Sequence, residues 1–223
     1  LEVIELLGDA YGHQKKWDDA ITQYKKLVKA NPDVANCHYK YGGALGMKAL
    51  ENKLKAIGLI SDIKSSFLKA AELDKNHIDA RWALVELYMQ LPGIFGGSKS
   101  KALHFDEELE NLSKVDGYLA KGYIYEYDNE SELAETYYKK AIKEGGSITC
   151  FDKLTSFYES KNQPQKAIQN IEEAQKNKFK IDWNSTEIVE PKQLGIQILE
   201  DFDSTLLEDY IDNNLTKNKQ TQV

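Results

Sequence analysis

The side chains best suited to catalysis or metal binding are few in this sequence, and they form no known motif. There are four histidines and two cysteines, and their spacing matches neither a zinc site nor a nucleophile motif. Cys37 and His38 are adjacent, so on a helix their side chains diverge by about 100° and cannot act as a nucleophile–base pair. We therefore predict no enzyme activity, no cofactor and no metal. A metal cluster of His13, Cys37 and His38 is the alternative that geometry has to decide.

A glycine-rich stretch at residues 91–102 is the second place to look for chemistry. Its Gly-Gly-Ser-Lys-Ser sequence raises the question of phosphate binding, but the phosphate-loop spacing requires glycine where Ser98 stands. We expect a structural loop instead, in which Pro92 ends one helix and Ser98 caps the next. We further expect Ile94 and Phe95 to be buried in this loop. An anion at the free amides of the following helix is the alternative.

The distribution of charge excludes several classes of partner. The net charge is −7, and residues 182–223 alone hold nine acids and three lysines, which leaves residues 1–181 close to neutral. Arg81 is the only arginine, and no basic stripe could neutralise a run of phosphates, so we predict no nucleic-acid partner. No apolar run is long enough to cross a bilayer, so we predict no membrane insertion.

Internal repetition is the strongest signal in the sequence. The first repeat, residues 1–34, carries small residues, aromatic residues and a closing proline at Leu7-Gly8, Tyr11, Ala20, Tyr24 and Pro32. Small residues such as Gly8 and Ala20 let two antiparallel helices cross closely, and the tyrosines fill the space between neighbouring hairpins. Further repeats with related patterns follow at about residues 35–77, 78–114, 115–147 and 148–181.

These spacings resemble the tetratricopeptide repeat. The resemblance implies an all-α fold, an α-solenoid of about five helical hairpins over residues 1–181. The second repeat, residues 35–77, is nine residues longer than the first, so we expect its helices to be extended by about one turn. The tryptophan of the family pattern is absent, and its place is taken by Ile4, His38, Arg81, Tyr118 and Phe151.

The pattern changes in residues 182–223, an acidic extension. After Pro191, apolar residues recur every four positions on one helical face, at Leu194, Ile198, Phe202, Leu206 and Tyr210. We expect an amphipathic helix that caps the open end of the solenoid, followed by a frayed tail.

A second resemblance covers residues 35–105. This stretch is similar to a group of uncharacterised bacterial tetratricopeptide proteins that carry a Pro-Gly-x-x-Gly-Gly insertion. That resemblance implies no catalytic activity, and it favours an exported or periplasmic location slightly over a cytoplasmic one. The sequence starts at Leu1 without a methionine or a leader, as expected of a trimmed or mature chain.

In the tetratricopeptide family, the first helices of the hairpins line a concave groove. The family positions carried onto this sequence imply an aromatic and acidic groove with the candidate binding residues Tyr39, Trp82, Glu86, Met89, Tyr123, Glu126 and Tyr127. Relatives that capture acidic chaperone tails have lysine and asparagine where this sequence has Glu5 and Asp9, so the charges are inverted. We therefore expect a basic, neutral or apolar partner.

Together these patterns predict a non-catalytic scaffold or adaptor that binds a protein or peptide in the groove. Burial of Trp82, Tyr123 and Tyr127 in the core is the alternative for the aromatic residues. Two other functions stay open. A small-ligand-binding accessory protein of the bacterial cell envelope would need an enclosed apolar cavity. Self-association would use the exposed edge of the first repeat, residues 1–34.

Overall fold

The computed structural model describes residues 1–51 and 53–178, and within these residues all regular structure is helical. The α-helices are α1 Glu2–His13, α2 Trp17–Ala30, α3 Ala35–Glu51, α4 Lys53–Leu73, α5 Ile78–Gln90, α6 Lys99–Leu112, α7 Lys114–Tyr127, α8 Ser131–Gly145, α9 Ile148–Ser160 and α10 Pro164–Lys178. A short 3₁₀ helix, Gly93–Phe95, lies between α5 and α6. The predicted capping helix and tail at 182–223 lie outside the described residues.

The described residues form two compact units. The first unit comprises Leu1–Ala80 and Gln90–Gly97, and the second comprises Arg81–Met89 and the described residues from Ser98 onward. In the first unit α1 packs against α2, and α3 against α4; in the second, α7 packs against α8, and α9 against α10. Successive helices therefore pair as hairpins. Helices α3 and α4 have 17 and 21 residues, which accounts for the extra length of the second repeat.

The turn between the two helices has the same backbone geometry in three of the hairpins. After α1, α7 and α9 the chain passes through a residue with φ between 54° and 61°, namely Lys15, Asn129 and Asn162. The next amide in each turn donates to the carbonyl of Tyr11, Tyr125 or Tyr158. This bond closes the final turn of the helix. The tyrosine of the repeat pattern therefore marks the point at which the chain begins to reverse.

The two helices of a hairpin approach most closely where a glycine faces an aromatic ring. A Cβ atom added at Gly8 would lie 2.6 Å from the ring of Tyr24, and one added at Gly122 would lie 2.5 Å from the ring of Tyr138. Gly42 faces a phenylalanine ring in the same way, at 3.0 Å. Each ring thus occupies the space that a side chain on the first helix would fill, and Tyr24 and Tyr138 are buried as a result.

The glycine-rich insertion confirms one expectation and corrects another. Ser98 caps α6, since its side chain accepts a hydrogen bond from the amide of Lys101 at 3.3 Å. The expected burial of Ile94 is wrong, because this side chain is 68% exposed, and Phe95 is only half-buried. The 3₁₀ turn that contains both residues directs Ile94 toward solvent. It ends at Gly96, whose φ of 93° favours glycine.

Replacement of Gly122 by alanine is expected to destabilise the fold, because the new methyl group would overlap the ring of Tyr138. Overpacking of this kind costs about 1–3 kcal/mol. Gly43 is the matched control: it also lies inside a helix, but no atom lies within 4 Å of its added Cβ. Gly43→Ala should therefore stabilise the protein by up to about 1 kcal/mol. Urea unfolding of the two variants checks the prediction, and a shift of the same sign for both would contradict it.

Candidate protein-binding surface

One face of α7 in the second unit carries aromatic side chains that reach the surface. Asp116, Tyr123 and Tyr127 are spaced by seven and four residues, so they share one side of the helix. The ring centroids of Tyr123 and Tyr127 are 6.1 Å apart, with the planes at 44°. Tyr127 is 46% exposed, and partial burial raises the pKa of its hydroxyl. We call this face, together with Trp82, the tyrosine surface.

Trp82 is held in a fixed orientation at one end of the tyrosine surface. Its indole Nε1–H donates to Oδ1 of Asp116 at 2.9 Å. The half-buried ring also packs against the hydrophobic core of the second unit, which includes Leu119 and Leu154. This hydrogen bond joins α5 to α7, so the tryptophan contributes both to packing and to the surface.

Glu126 connects three helices of the second unit. Its Oε2 accepts a hydrogen bond from the hydroxyl of Tyr138 at 2.7 Å. Its Oε1 accepts one from Oγ of Ser160 at 3.2 Å. The carboxylate therefore links α7 to α8 and α9, and this predicted binding residue has a structural role.

The other predicted binding residues are not part of the tyrosine surface. Glu86 and Met89 are buried, because α5 is covered on nearly all sides and almost none of its side chains reaches solvent. They therefore offer almost no accessible area to a partner. Tyr39 is in the first unit, where its ring centroid lies 6.0 Å from that of Phe67 and 5.0 Å from that of His77. The structure thus brings Trp82, Tyr123, Glu126 and Tyr127 together in one unit.

The acids predicted for the groove in the first unit are already paired. Nζ of Lys40 lies 2.8 Å from a carboxylate oxygen of Glu5 and 2.7 Å from one of Asp9. Asp9 also accepts a hydrogen bond from the hydroxyl of Tyr24 at 2.6 Å. Burial lowers the pKa of Lys40, but the hydrogen bonds to Asp9 and Glu5 outweigh it and raise the pKa. Lys40 was not predicted from the sequence, because its partners lie on another hairpin.

A cleft of about 560 Å³ lies among α8, α9 and α10 of the second unit. It is lined by Glu135, Lys139, Ile142, Lys143, Leu154, Tyr158, Lys166, Gln169, Asn170 and Glu173. Seven of these ten residues are polar, so the cleft lacks the predominantly apolar lining that is typical of small-molecule pockets. Burial alone would raise the pKa of Glu135, but hydrogen bonds from Lys139, Lys166 and Tyr158 lower it to about 2.

Asp106 is a fully buried acid that was not predicted from the sequence. It stands on α6 at the repeat position that Tyr24 and Tyr138 occupy in other hairpins. Nζ of Lys121 lies 3.4 Å from Oδ2, but neither carboxylate oxygen receives a hydrogen bond from the described residues. Burial raises the pKa of Asp106 to about 7, because it outweighs the attraction of Lys121.

The described part of the chain contains neither a metal-binding cluster of side chains nor a membrane-spanning helix. No group of three or more histidine, cysteine or acidic side chains lies close enough to hold a metal ion there. The alternative cluster of His13, Cys37 and His38 is therefore wrong; Cys37 is buried, and Nε2 of His38 lies 2.8 Å from the carbonyl oxygen of Pro32. Among the same residues, no helix is both long and apolar enough to span a membrane.

Comparison with known proteins agrees with this geometry. A model of the tetratricopeptide repeat family matches residues 1–34 and 115–144. No curated protein matches the sequence. A crystal structure of MamA is similar over 78% of this chain and 95% of its own, with 25% sequence identity and a TM-score of 0.51. A tetratricopeptide protein of Thermus thermophilus, TTC0263, matches 78% of this chain and 90% of its own, with 17% identity and a TM-score of 0.60.

A third solved structure extends the comparison to another bacterium. MamA of Desulfovibrio magneticus RS-1 covers 81% of this chain and 96% of its own, with 15% identity and a TM-score of 0.51. These similarities confirm the predicted all-α fold of the α-solenoid class, built from tetratricopeptide-like hairpins.

The buried Asp106 is expected to make stability depend on pH. Its folded pKa of about 7 lies above the usual aspartate value of 3.8, so the folded state binds the proton more tightly than the unfolded state. The free energy of unfolding should therefore fall as the pH rises from about 4 to about 7, by at most about 1.4 kcal/mol per pH unit. Asp106→Asn should remove this dependence, as measured by urea unfolding across the pH range.

Glu132→Gln supplies the control for this experiment. It removes an exposed acid on α8 of the same unit, and should leave the slope between pH 4 and 7 intact. An unchanged slope in Asp106→Asn would show that Asp106 titrates normally.

Proposed function

We propose that this chain, which belongs to the tetratricopeptide repeat family, is a non-catalytic scaffold that binds a protein or peptide at the tyrosine surface of its second unit. Proteins of this family are in general scaffolds for protein interaction, which supports a protein as the partner. The family assignment does not locate the binding surface. The contacts of α7 favour the tyrosine surface.

The exposure of Tyr127 is the observation that carries the proposal. Tyr24 and Tyr138 are buried beneath a glycine, and their hydroxyls are bound to carboxylates. Tyr127 instead leaves nearly half of its surface in water beside the ring of Tyr123. Tyrosine loses little conformational entropy on binding and offers a large apolar area, so paired tyrosines of this kind are typical anchors of protein interfaces.

The charges around the tyrosine surface favour an apolar or basic partner. Asp116 and Glu126 accept hydrogen bonds from side chains of the protein itself, so part of their acceptor capacity is used within the fold. Glu159 on α9 is exposed, and the adjacent Ser160 donates a hydrogen bond to Glu126, so Glu159 lies near the tyrosine surface. A lysine or arginine of the partner can pair with Glu159, whereas an acidic partner would be repelled.

The two alternatives are supported differently. Binding of a small molecule would need an enclosed apolar cavity, and the cleft among α8, α9 and α10 is lined mainly by charged and polar side chains. We therefore do not propose a small-ligand function or a role in uptake at the cell envelope. Self-association would concern the first unit, through the exposed residues of α1.

Loss of the two tyrosine rings is expected to weaken binding strongly. The probe is a set of peptides selected against the wild-type chain from a randomised display library. We expect selected peptides to be enriched in apolar and basic residues. Their affinity for a Tyr123→Ala, Tyr127→Ala variant, measured by isothermal titration calorimetry, should be at least about tenfold lower, as for interface anchors in general.

Leu133→Ala is the matched control for this test. Leu133 is 40% exposed, close to the 46% of Tyr127, and lies on α8 of the same unit. Its loss should leave peptide affinity unchanged. Circular dichroism establishes that both variants are folded. Equal binding of the selected peptides to wild type and to the tyrosine variant would place the binding surface elsewhere.

A further inference from the structure

The cleft among α8, α9 and α10 carries basic side chains that reach solvent. Lys139 and Lys143 lie one helical turn apart on α8, and Lys166 lies across the cleft near the start of α10. All three side chains are exposed. The acids of the lining are Glu135 and Glu173, so three lysines outnumber two glutamates. We call Lys139, Lys143 and Lys166 the lysine rim.

Glu135 is engaged within the protein and holds two lysines of the rim in place. Its Oε1 accepts hydrogen bonds from Nζ of Lys139 at 2.6 Å and from the hydroxyl of Tyr158 at 3.0 Å. Its Oε2 accepts one from Nζ of Lys166 at 3.0 Å. The glutamate is 22% exposed, whereas Lys139 and Lys166 are 58% and 47% exposed. The carboxylate therefore lies deeper than the two cations, and a partner meets the lysines first.

The lysine rim keeps hydrogen-bond donors for a partner. Each ammonium group has three N–H donors, and Lys139 and Lys166 each donate one hydrogen bond to Glu135. Nζ of Lys166 also lies 5.2 Å from the centroid of the Tyr158 ring, which further fixes its position. Groups that are already ordered lose less conformational entropy when a partner binds. The remaining donors of the rim are therefore suited to an anionic group.

The length of the cleft suits an extended peptide segment. The lining residues of α8 run from Glu135 to Lys143, and this stretch of helix is about 12 Å long. Three or four residues of extended chain cover about the same distance. The lining is mainly polar, so it favours carboxylate side chains over an apolar ligand.

The first hairpin carries two equivalent lysines without the acid. Lys25 and Lys29 on α2 stand at the repeat positions of Lys139 and Lys143, and they are exposed as well. Ile21 stands where α8 has its glutamate. No carboxylate at this position orders the lysines of α2. They therefore provide a matched comparison of equal charge.

We propose that the cleft binds an acidic peptide segment of a protein partner, whose carboxylates pair with the lysine rim. Lysine and carboxylate groups form charge-assisted hydrogen bonds, which are stronger than neutral ones. A basic segment would instead meet like charges at the rim. The cleft shares no residue with the tyrosine surface, so it is a second binding surface with the opposite preference for charge.

A fluorescein-labelled peptide of eight glutamates, octaglutamate, tests the proposal by fluorescence anisotropy with the full chain. The chain has a net charge of −7, so it does not attract an acidic peptide by its overall charge. The wild type should bind octaglutamate, and the affinity should fall as sodium chloride is raised. Absence of binding to the wild type at low salt would overturn the proposal.

Two variants of equal charge locate the binding. Lys139→Gln, Lys143→Gln should lower the affinity for octaglutamate at least about fivefold, because it removes two of the three cations of the rim. Lys25→Gln, Lys29→Gln removes the same charge from the other unit and should stay within about twofold of the wild type. Circular dichroism establishes that both are folded. An equal loss in the two variants would show non-specific attraction to lysine and overturn the proposal.

The remaining arms separate other surfaces and other anions. The Tyr123→Ala, Tyr127→Ala variant should bind octaglutamate as the wild type does, so failure here and failure at the tyrosine surface are distinguishable. Inorganic phosphate should displace octaglutamate no better than sodium chloride of equal ionic strength, because one phosphate cannot span the rim. Displacement by phosphate at much lower concentration would assign the cleft to phosphate groups and overturn the proposal.

The acidic residues 182–223 of the chain itself are the competing occupant. Carbodiimide cross-linking joins lysines to nearby carboxylates, and mass spectrometry identifies the linked residues. Cross-links from the lysine rim to acids of residues 182–223, together with failure of octaglutamate to bind, would assign the cleft to that segment and overturn the proposal.

Discussion

The close approach of a glycine on the first helix of a hairpin to an aromatic ring on the second is the constraint on which the other features depend. At Gly8 and Gly122 the ring of a tyrosine fills the space of the missing side chain. The ring is then buried, but its hydroxyl must still find a hydrogen-bond partner. In both hairpins the partner is a carboxylate on the first helix, from Asp9 or Glu126. A packing requirement thus determines which acids are engaged inside the protein and which are left to face a partner.

The third hairpin meets the same requirement with different residues. Val85 stands where the first, second and fourth hairpins have glycine, and Asp106 stands where the first and fourth have tyrosine. Compared with the first and fourth hairpins, the side chain on the first helix is larger and the side chain on the second helix is smaller. Both residues are buried. The cost is a carboxylate without a hydrogen-bond donor among the described residues and with Lys121 as its nearby cation. Departure from the repeat pattern therefore explains why an acid with a strongly raised pKa lies in this hairpin.

The sequence was sufficient to predict the hairpins, because glycine, alanine and tyrosine at this fixed spacing are the residues that closely crossing helices require. It was less informative about exposure. Spacing gives the angle of a side chain around its helix, but burial depends on what packs there from other elements. Glu86 and Met89 have suitable spacing, yet α5 is covered on nearly all sides. Lys40 forms ion pairs with Glu5 and Asp9 through a contact between hairpins, and such a pairing cannot be predicted from either segment alone.

The tyrosine surface follows from a shift of the acid along α7. In the first hairpin the carboxylate that binds the buried tyrosine is Asp9, and the corresponding position in the fourth hairpin is Tyr123. The required carboxylate is supplied three residues later by Glu126, which also reaches α9. Residue 123 therefore does not have to supply the carboxylate that binds the buried tyrosine, and an aromatic ring stands there beside Tyr127. The fourth hairpin thus keeps the internal hydrogen bond of the first while it presents aromatic rather than acidic groups. A partner at this surface would displace water from apolar ring surface instead of competing for carboxylates that the fold already uses.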